Sequence, residues 1–136
     1  MDKHSAFKIG FIGLGNLGEP LCNSLVSKGF NVTLTDLRRE NAQRLLDAGA
    51  SWSDDIAGVC RDANVVITAL PSVAASRKAV EGPGGVFEHL AAGGIWIEMS
   101  TTDLADLQRL QDVAKSKGID VLECPVTGGV HLAHSG

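Results

Sequence analysis

Three glycines at positions 13, 15 and 18 separate an apolar run from a helical pattern, in the spacing Gly-x-Gly-x-x-Gly. The first would permit a tight turn between a strand and a helix, and the second would let the backbone approach a phosphate group without an intervening Cβ atom. The third would let the helix pack closely on a sheet, and the N–H groups at the beginning of that helix carry partial positive charge. This segment is therefore predicted to bind the pyrophosphate of a dinucleotide. Its six residues are Gly13, Leu14, Gly15, Asn16, Leu17 and Gly18.

A single carboxylate, Asp36, ends the next apolar run, at about the 20-residue interval that this motif requires. A carboxylate at that place accepts hydrogen bonds from the hydroxyl groups of an adenosine ribose, and it would repel a 2′-phosphate. The sequence therefore favours NAD over NADP as the cofactor. Arg38 and Arg39 leave NADP open as the alternative, because a guanidinium group can bind a phosphate.

Other side chains with potential chemistry have simpler interpretations. His131 and His134 have a spacing that would suit two metal ligands on a helix, but they lie in a glycine-flanked segment without close partners, and no metal site is predicted. Cys22, Cys60 and Cys124 are odd in number and far apart, which is typical of reduced thiols in a cytoplasmic protein.

Strand and helix patterns alternate along the chain, which predicts a parallel sheet with helices on both of its faces. We expect an α/β fold with a doubly wound, mostly parallel sheet of the Rossmann type, in the strand order 3-2-1-4-5-6. Strands are predicted at 7–12, 31–35, 64–70, 95–99 and 120–124, with a weaker one near Ser51, and helices at 39–48, 73–80, 86–92 and 103–117, besides the one that begins inside the glycine motif. Residues 125–136 are predicted to form a loop.

Composition excludes several classes of protein. A chain of 136 residues suits one domain, and a net charge of −4 without a basic stripe argues against a nucleic-acid partner. No apolar run approaches the ~18 residues that a membrane span requires. The first eight residues do not have the pattern of a secretory signal, which also favours the cytoplasm.

Four blocks of the sequence occur in the order and at the spacing of one known family. They are residues 9–18 (IGFIGLGNLG), 68–71 (TALP), 97–103 (IEMSTTD) and 123–129 (ECPVTGG). Together they resemble the β-hydroxyacid dehydrogenases, the family of 3-hydroxyisobutyrate dehydrogenase and of the NAD(P)-binding domain of 6-phosphogluconate dehydrogenase. Thr127, Glu123, Cys124 and Met99 depart from the residues that are more usual in that family.

The resemblance implies roles for residues outside the glycine motif. Leu70 and Pro71 would lie along the path from adenosine to nicotinamide, and Thr101 would lie beside the nicotinamide. Thr127, Gly128 and Gly129 would hold the carboxylate of the substrate. The implied activity is transfer of a hydride between the nicotinamide cofactor and a short β-hydroxy acid or semialdehyde.

In that family the chain continues into an all-α domain whose Gly-x-Asn-x-x-Lys segment carries the catalytic lysine, and nothing in these 136 residues matches that segment. Residues 1–136 are therefore expected to be the NAD(P)-binding domain alone, without a catalytic residue of its own and inactive in isolation. The absence of the second domain is also expected to expose apolar surface near residue 136 and to favour self-association. Two alternatives are a dinucleotide-binding or sensing module that never catalyses and, with less support, an enzyme that uses S-adenosylmethionine.

Overall fold

The computed structural model describes residue 4 and residues 6–136. Six parallel strands of this part of the chain form one sheet in the order β3-β2-β1-β4-β5-β6. The predicted fold class and strand order are confirmed. The strands are β1 (Lys8–Ile12), β2 (Asn31–Thr35), β3 (Ser51–Trp52), β4 (Val65–Thr68), β5 (Ile95–Glu98) and β6 (Asp120–Glu123).

Helices cover both faces of the sheet. They are α1 (Gly18–Ser27), α2 (Gln43–Asp47), α3 (Ile56–Cys60), α4 (Val73–Glu81), α5 (Val86–His89), α6 (Leu104–Ser116) and α7 (Gly129–Ser135), and a 3-10 turn at Arg39–Ala42 precedes α2. The helix predicted at 39–48 is therefore two shorter elements.

Two apolar cores lie on opposite faces of the sheet, because successive side chains of a strand point in opposite directions. Phe11 and Ile67 belong to the core under α1 and α2. Ile12, Val66 and Trp96 belong to the core under α3 to α6. All four residues of β4 are buried, as expected of a central parallel strand with helices on both faces.

The prediction of a loop for residues 125–136 is wrong, because α7 forms there. Gly128 precedes this helix with φ of 95°, a conformation that favours glycine. Ala133 is buried against α1, and Ser24 Oγ of α1 donates a hydrogen bond to the Ala133 carbonyl oxygen at 3.0 Å. Tertiary packing therefore stabilises a helix that the glycine-rich sequence did not indicate.

Smaller differences occur at the ends of elements. The apolar spacing of α6 would place Leu104 on the buried face with Leu107 and Leu110, but it is the first residue of that helix and 74% exposed. Asp55 caps α3 by accepting a hydrogen bond from the Gly58 N–H at 2.7 Å. Within the described part of the chain, no helix is long and apolar enough to cross a membrane.

Candidate dinucleotide-binding site

A cleft of about 550 Å³ opens beside the carboxyl ends of β1 and β2. The turn from β1 to α1 forms one wall, the segment after β2 forms another, and α7 borders it. In open α/β sheets, ligands bind outside the carboxyl ends of the strands, where the strand order reverses. The residues that line this cleft are Leu14, Gly15, Asn16, Glu19, Arg38, Asn41, Val130 and His134.

The turn at the cleft requires glycine at two positions. Gly13 has φ of 100°, and a Cβ atom there would overlap the carbonyl oxygen of Ala69. A Cβ atom on Gly18 would overlap the carbonyl oxygen of Gly13 itself. These two glycines therefore let α1 begin directly against the end of β1, as the sequence predicts.

Gly15 differs from both, since a Cβ atom at that position would meet no atom within 4 Å. The space in front of Gly15 is therefore open cleft. Among the described residues, no acceptor is found for the N–H groups of Gly15, Asn16 and Leu17. An open cradle lined by unpaired backbone donors at a helix N-terminus fits a pyrophosphate.

Asp36 lies at the end of β2 and connects the two walls of the cleft. Its Oδ2 accepts a hydrogen bond from the Leu14 N–H at 2.6 Å, and its Oδ1 accepts from the Arg38 N–H at 2.8 Å and from Asn41 Nδ2 at 3.3 Å. An ionised carboxylate has about four lone-pair sites, so capacity for a ligand hydroxyl remains. This geometry fits a ribose bound against the half-buried carboxylate.

Glu19 also lines the cleft, and a free anion there would repel a phosphate. One of its oxygens, Oε1, is buried, lacks a hydrogen-bond partner among the described residues and lies 3.5 Å from Nη1 of Arg44. The guanidinium group of α2 therefore compensates the charge of Glu19.

We expect the Arg44→Ala variant to bind NADH roughly two- to fivefold more weakly, because the charge of Glu19 would no longer be compensated and an ion pair with one largely exposed partner contributes about 0.2–1 kcal/mol. Fluorescence titration at low ionic strength measures the change. The double variant Glu19→Gln/Arg44→Ala is the control and should regain the affinity of the wild type. A double variant as weak as the single one would contradict this role of Arg44.

The residues that the family resemblance assigns to the nicotinamide path lie along the same edge of the sheet but outside the cleft. Leu70 follows β4, and its N–H donates a hydrogen bond to Ser100 Oγ at 2.7 Å. Pro71 and Thr101 are exposed. Their contact with a cofactor stays a prediction.

The structure does not bring Thr127, Gly128 and Gly129 into the cleft. Thr127 and Gly129 line a separate apolar groove of about 500 Å³, which α7 divides from the cleft. Leu17 and Lys28 also line this groove. The carboxylate-binding role of these three residues stays a prediction as well.

Sequence reasoning did not single out Asn41, Val130 or Arg44. Asn41 lines the cleft and Arg44 contacts Glu19 because the 3-10 turn and α2 fold back beside the end of β2, and no pattern in the sequence marks that return. His134, which the sequence suggests only as a possible metal ligand, also lines the cleft. Among the described residues, no group of three or more potential metal ligands occurs.

Two of the three thiols are shielded from reaction. Burial raises the pKa of Cys60 to about 12, and burial together with the nearby charge of Glu19 raises that of Cys22 to about 12. Because the thiolate is the reactive form, these two cysteines are expected to be inert at neutral pH.

Comparison with known proteins agrees with this geometry. The family model described as the NAD binding domain of 6-phosphogluconate dehydrogenase matches residues 8–136. The probable mitochondrial 3-hydroxyisobutyrate dehydrogenase of Dictyostelium discoideum is 34% identical over 100% of this chain and 42% of its own length. The 2-(hydroxymethyl)glutarate dehydrogenase of Eubacterium barkeri is 33% identical over 96% of this chain and 44% of its own.

A solved structure described as Psf3 in complex with NADP+ and 2-OPP superposes with a TM-score of 0.89. It is 32% identical to this chain, and the match covers 93% of this chain and 45% of that one. The chain therefore spans less than half the length of the proteins to which it is similar.

Proposed function

This chain belongs to the family of the NAD binding domain of 6-phosphogluconate dehydrogenase, and from that premise we propose that it binds a nicotinamide dinucleotide as the cofactor-binding part of a hydroxy-acid dehydrogenase. The observation that carries this proposal is the open cradle at Gly15, with N–H groups that find no acceptor among residues 4 and 6–136 on one side and the carboxylate of Asp36 on the other. On this proposal, Gly13 and Gly18 shape the turn, residues 14–17 bind the pyrophosphate, and Asp36 binds the adenosine ribose.

The test is an equilibrium titration with NADH, NADPH and ATP. Energy transfer from Trp52 and Trp96 to the reduced nicotinamide measures the binding of NADH and NADPH, and displacement of NADH by ATP measures the binding of ATP. We expect NADH to bind more tightly than ATP, because the cleft would hold both the pyrophosphate and the ribose. If neither NADH nor NADPH binds better than ATP, the proposal is wrong.

We further propose that NAD is preferred over NADP. The support is the position of Asp36, whose two oxygens already accept three hydrogen bonds and whose charge would repel a 2′-phosphate. Arg38 favours the opposite choice, since it lines the same cleft and a guanidinium group binds phosphate well. The similar structure described with NADP+ shows that NADP is bound by at least one protein of this kind.

The Asp36→Asn variant should reduce the ratio of NADH affinity to NADPH affinity by about tenfold or more, which corresponds to about 1.4 kcal/mol. The reason is that the substitution removes the charge that repels the 2′-phosphate, while Arg38 remains beside it. The same titration measures both affinities. Asn41→Ala is the matched control, because it removes the longest contact to Asp36 and keeps its charge; its ratio should equal that of the wild type. An unchanged ratio in Asp36→Asn would contradict the proposed preference.

The substrate of the complete enzyme is proposed to be a short β-hydroxy acid or the matching semialdehyde. The support is the names of the relatives, a 3-hydroxyisobutyrate dehydrogenase and a 2-(hydroxymethyl)glutarate dehydrogenase, together with the resemblance of Thr127, Gly128 and Gly129 to a carboxylate-binding loop. When bound, the nicotinamide ring supplies the hydride chemistry. This chain would hold and orient the dinucleotide, and a lysine outside these 136 residues would exchange the hydroxyl proton.

The second candidate function is a binding or sensing module without catalysis. The supporting observation is that, of the lysines in the described part of the chain, none lines the cleft that holds Gly15. A turnover assay on the 136-residue chain with NAD and 3-hydroxyisobutyrate separates binding from catalysis, and we expect binding without turnover. Restored turnover on addition of the remainder of a relative's chain would favour the enzyme over the module.

We propose that this chain self-associates and that it resides in the cytoplasm. Leu122, Val126 and Leu132 expose apolar side chains next to the groove, and sedimentation velocity is expected to show dimers or larger species. The double variant Leu122→Ser/Leu132→Ser should shift the protein towards monomer, whereas Leu104→Ser, exposed on α6, should not. A monomeric wild type at high concentration would contradict the self-association.

A further inference from the structure

A buried carboxylate lies under the loops that follow β4 and β5. Glu98, the last residue of β5, is 0% exposed, and none of the ion pairs among the described residues includes it. Its Oε1 accepts hydrogen bonds from Thr68 Oγ1 at 3.0 Å and from the Ser100 N–H at 2.8 Å, and its Oε2 accepts one from Ser76 Oγ. Burial of such a group is costly unless its oxygens are satisfied, and here three donors are held around it.

The indole group of Trp96, in the core, determines which atom donates in the hydrogen bonds that lead to Glu98. The Trp96 indole can only donate, and its Nε1 donates to Thr68 Oγ1 at 2.9 Å. The hydroxyl proton of Thr68 is therefore directed to Glu98. On the other side, Ser100 donates its N–H to Glu98 while its Oγ accepts from the Leu70 N–H at 2.7 Å.

Glu98 thus joins three elements that border the carboxyl edge of the sheet. Thr68 ends β4, Ser76 lies in α4, and Ser100 belongs to the segment between β5 and α6. Through Ser100 the network also holds the backbone at Leu70, where the loop after β4 begins. The loop after β4 and the loop after β5 are thus joined by the Leu70 N–H and Ser100 Oγ, and Glu98 holds Ser100 in place through the Ser100 N–H.

The order of the strands in the sheet indicates which half of a dinucleotide would contact the loops after β4 and β5. β2, with Asp36 at its end, lies on one side of β1, and β4 and then β5 lie on the other side. A pyrophosphate at Gly15 with its adenosine ribose at Asp36 must extend its second half across the ends of β4 and β5. That half is the nicotinamide mononucleotide.

We propose that Glu98 is a positioning residue for the nicotinamide half of the cofactor: without touching the cofactor, it fixes the loops that begin at Leu70 and Ser100. This inference rests on the proposed dinucleotide binding. It assigns the network to the nicotinamide end of the ligand, and that end can be tested separately because ADP-ribose contains the adenosine, the pyrophosphate and the second ribose but lacks the nicotinamide ring.

The experiment compares the affinities of NADH and ADP-ribose by calorimetric titration of the 136-residue protein. In Glu98→Ala and in Ser100→Ala, NADH affinity should fall by about five- to tenfold, while ADP-ribose affinity changes less than about twofold. Glu98→Gln should largely retain NADH affinity, because its carbonyl oxygen can keep the two donors at Oε1 and the Ser76 hydroxyl can turn to accept from its amide. Should Glu98→Ala fail to fold, Ser100→Ala provides the test alone.

Val66→Ala is the matched control, since Val66 is fully buried two residues before Thr68 on the same face of β4. It should lower the melting temperature and leave the ratio of the two affinities unchanged. Equal losses for both ligands in Ser100→Ala, or the same change of ratio in Val66→Ala, would overturn the assignment to positioning. A wild-type protein that binds neither ligand would instead refute the proposed function itself.

Discussion

The Gly15→Val variant is expected to lose NADH affinity by about a hundredfold or more while its melting temperature stays within about 3 °C of the wild type. A Cβ atom at this position meets nothing within 4 Å, so the isopropyl group would not disturb the folded chain. It would occupy the space that a pyrophosphate needs next to the N–H groups of residues 15–17. Titration with NADH and thermal unfolding followed by circular dichroism measure the two quantities.

A graded series provides the control for this result. Gly15→Ala places one methyl group at the same position and should weaken binding less than Gly15→Val does. Undiminished NADH affinity in Gly15→Val would contradict the placement of the pyrophosphate. A large fall in its melting temperature would instead show that Gly15 has a structural role.

The Gly18→Ala variant is expected to show the opposite behaviour, with a loss of stability of about 3 kcal/mol and a melting temperature about 10 °C lower. Its Cβ atom would overlap the carbonyl oxygen of Gly13 and would lie 2.9 Å from the carbonyl carbon, and both belong to the backbone. Backbone atoms cannot move aside as a flexible side chain can, so α1 would have to shift away from the end of β1. Urea unfolding measures the free energy.

Comparison of Gly15→Val with Gly18→Ala separates the effect of the glycine motif on binding from its effect on stability. Gly15 and Gly18 belong to the same motif, yet the structure predicts that one substitution removes binding and the other removes stability. A Gly18→Ala variant as stable as the wild type would show that the contact between α1 and β1 is looser than described. Residual NADH binding by the folded fraction of Gly18→Ala would be consistent with the structure.

Local patterns in the sequence were sufficient to predict the sheet and the glycine turn. Nearly continuous apolar runs such as 65–68 mark central parallel strands, and their alternation with helical patterns leaves few topologies. The positions of Gly13, Gly15 and Gly18 relative to β1 and α1 also follow from local pattern. The proposed binding at these positions uses backbone N–H groups, and the glycine motif itself specifies the conformation of that backbone.

Features that depend on distant contacts could not be predicted from the sequence. α7 forms because Ala133 packs against α1. Ser24 of α1, which contacts Ala133, is 109 residues away from it in the sequence. The pairing of Glu19 with Arg44 depends on how α2 returns beside α1. The network around Glu98 joins Thr68 and Ser76, which are 30 and 22 residues away, through strand register and helix packing.

The central claim is that backbone amides at the turn from β1 to α1 bind the pyrophosphate of a nicotinamide dinucleotide. A 15N–1H correlation spectrum of the 136-residue protein, recorded during titration with NADH, tests it most directly because each amide reports its own surroundings. We predict the largest shifts at the amides of Gly15, Asn16 and Leu17, with further shifts at Arg38 beside the ribose site. Saturable shifts confined to the apolar groove between α1 and α7, with those amides unchanged, would contradict the claim.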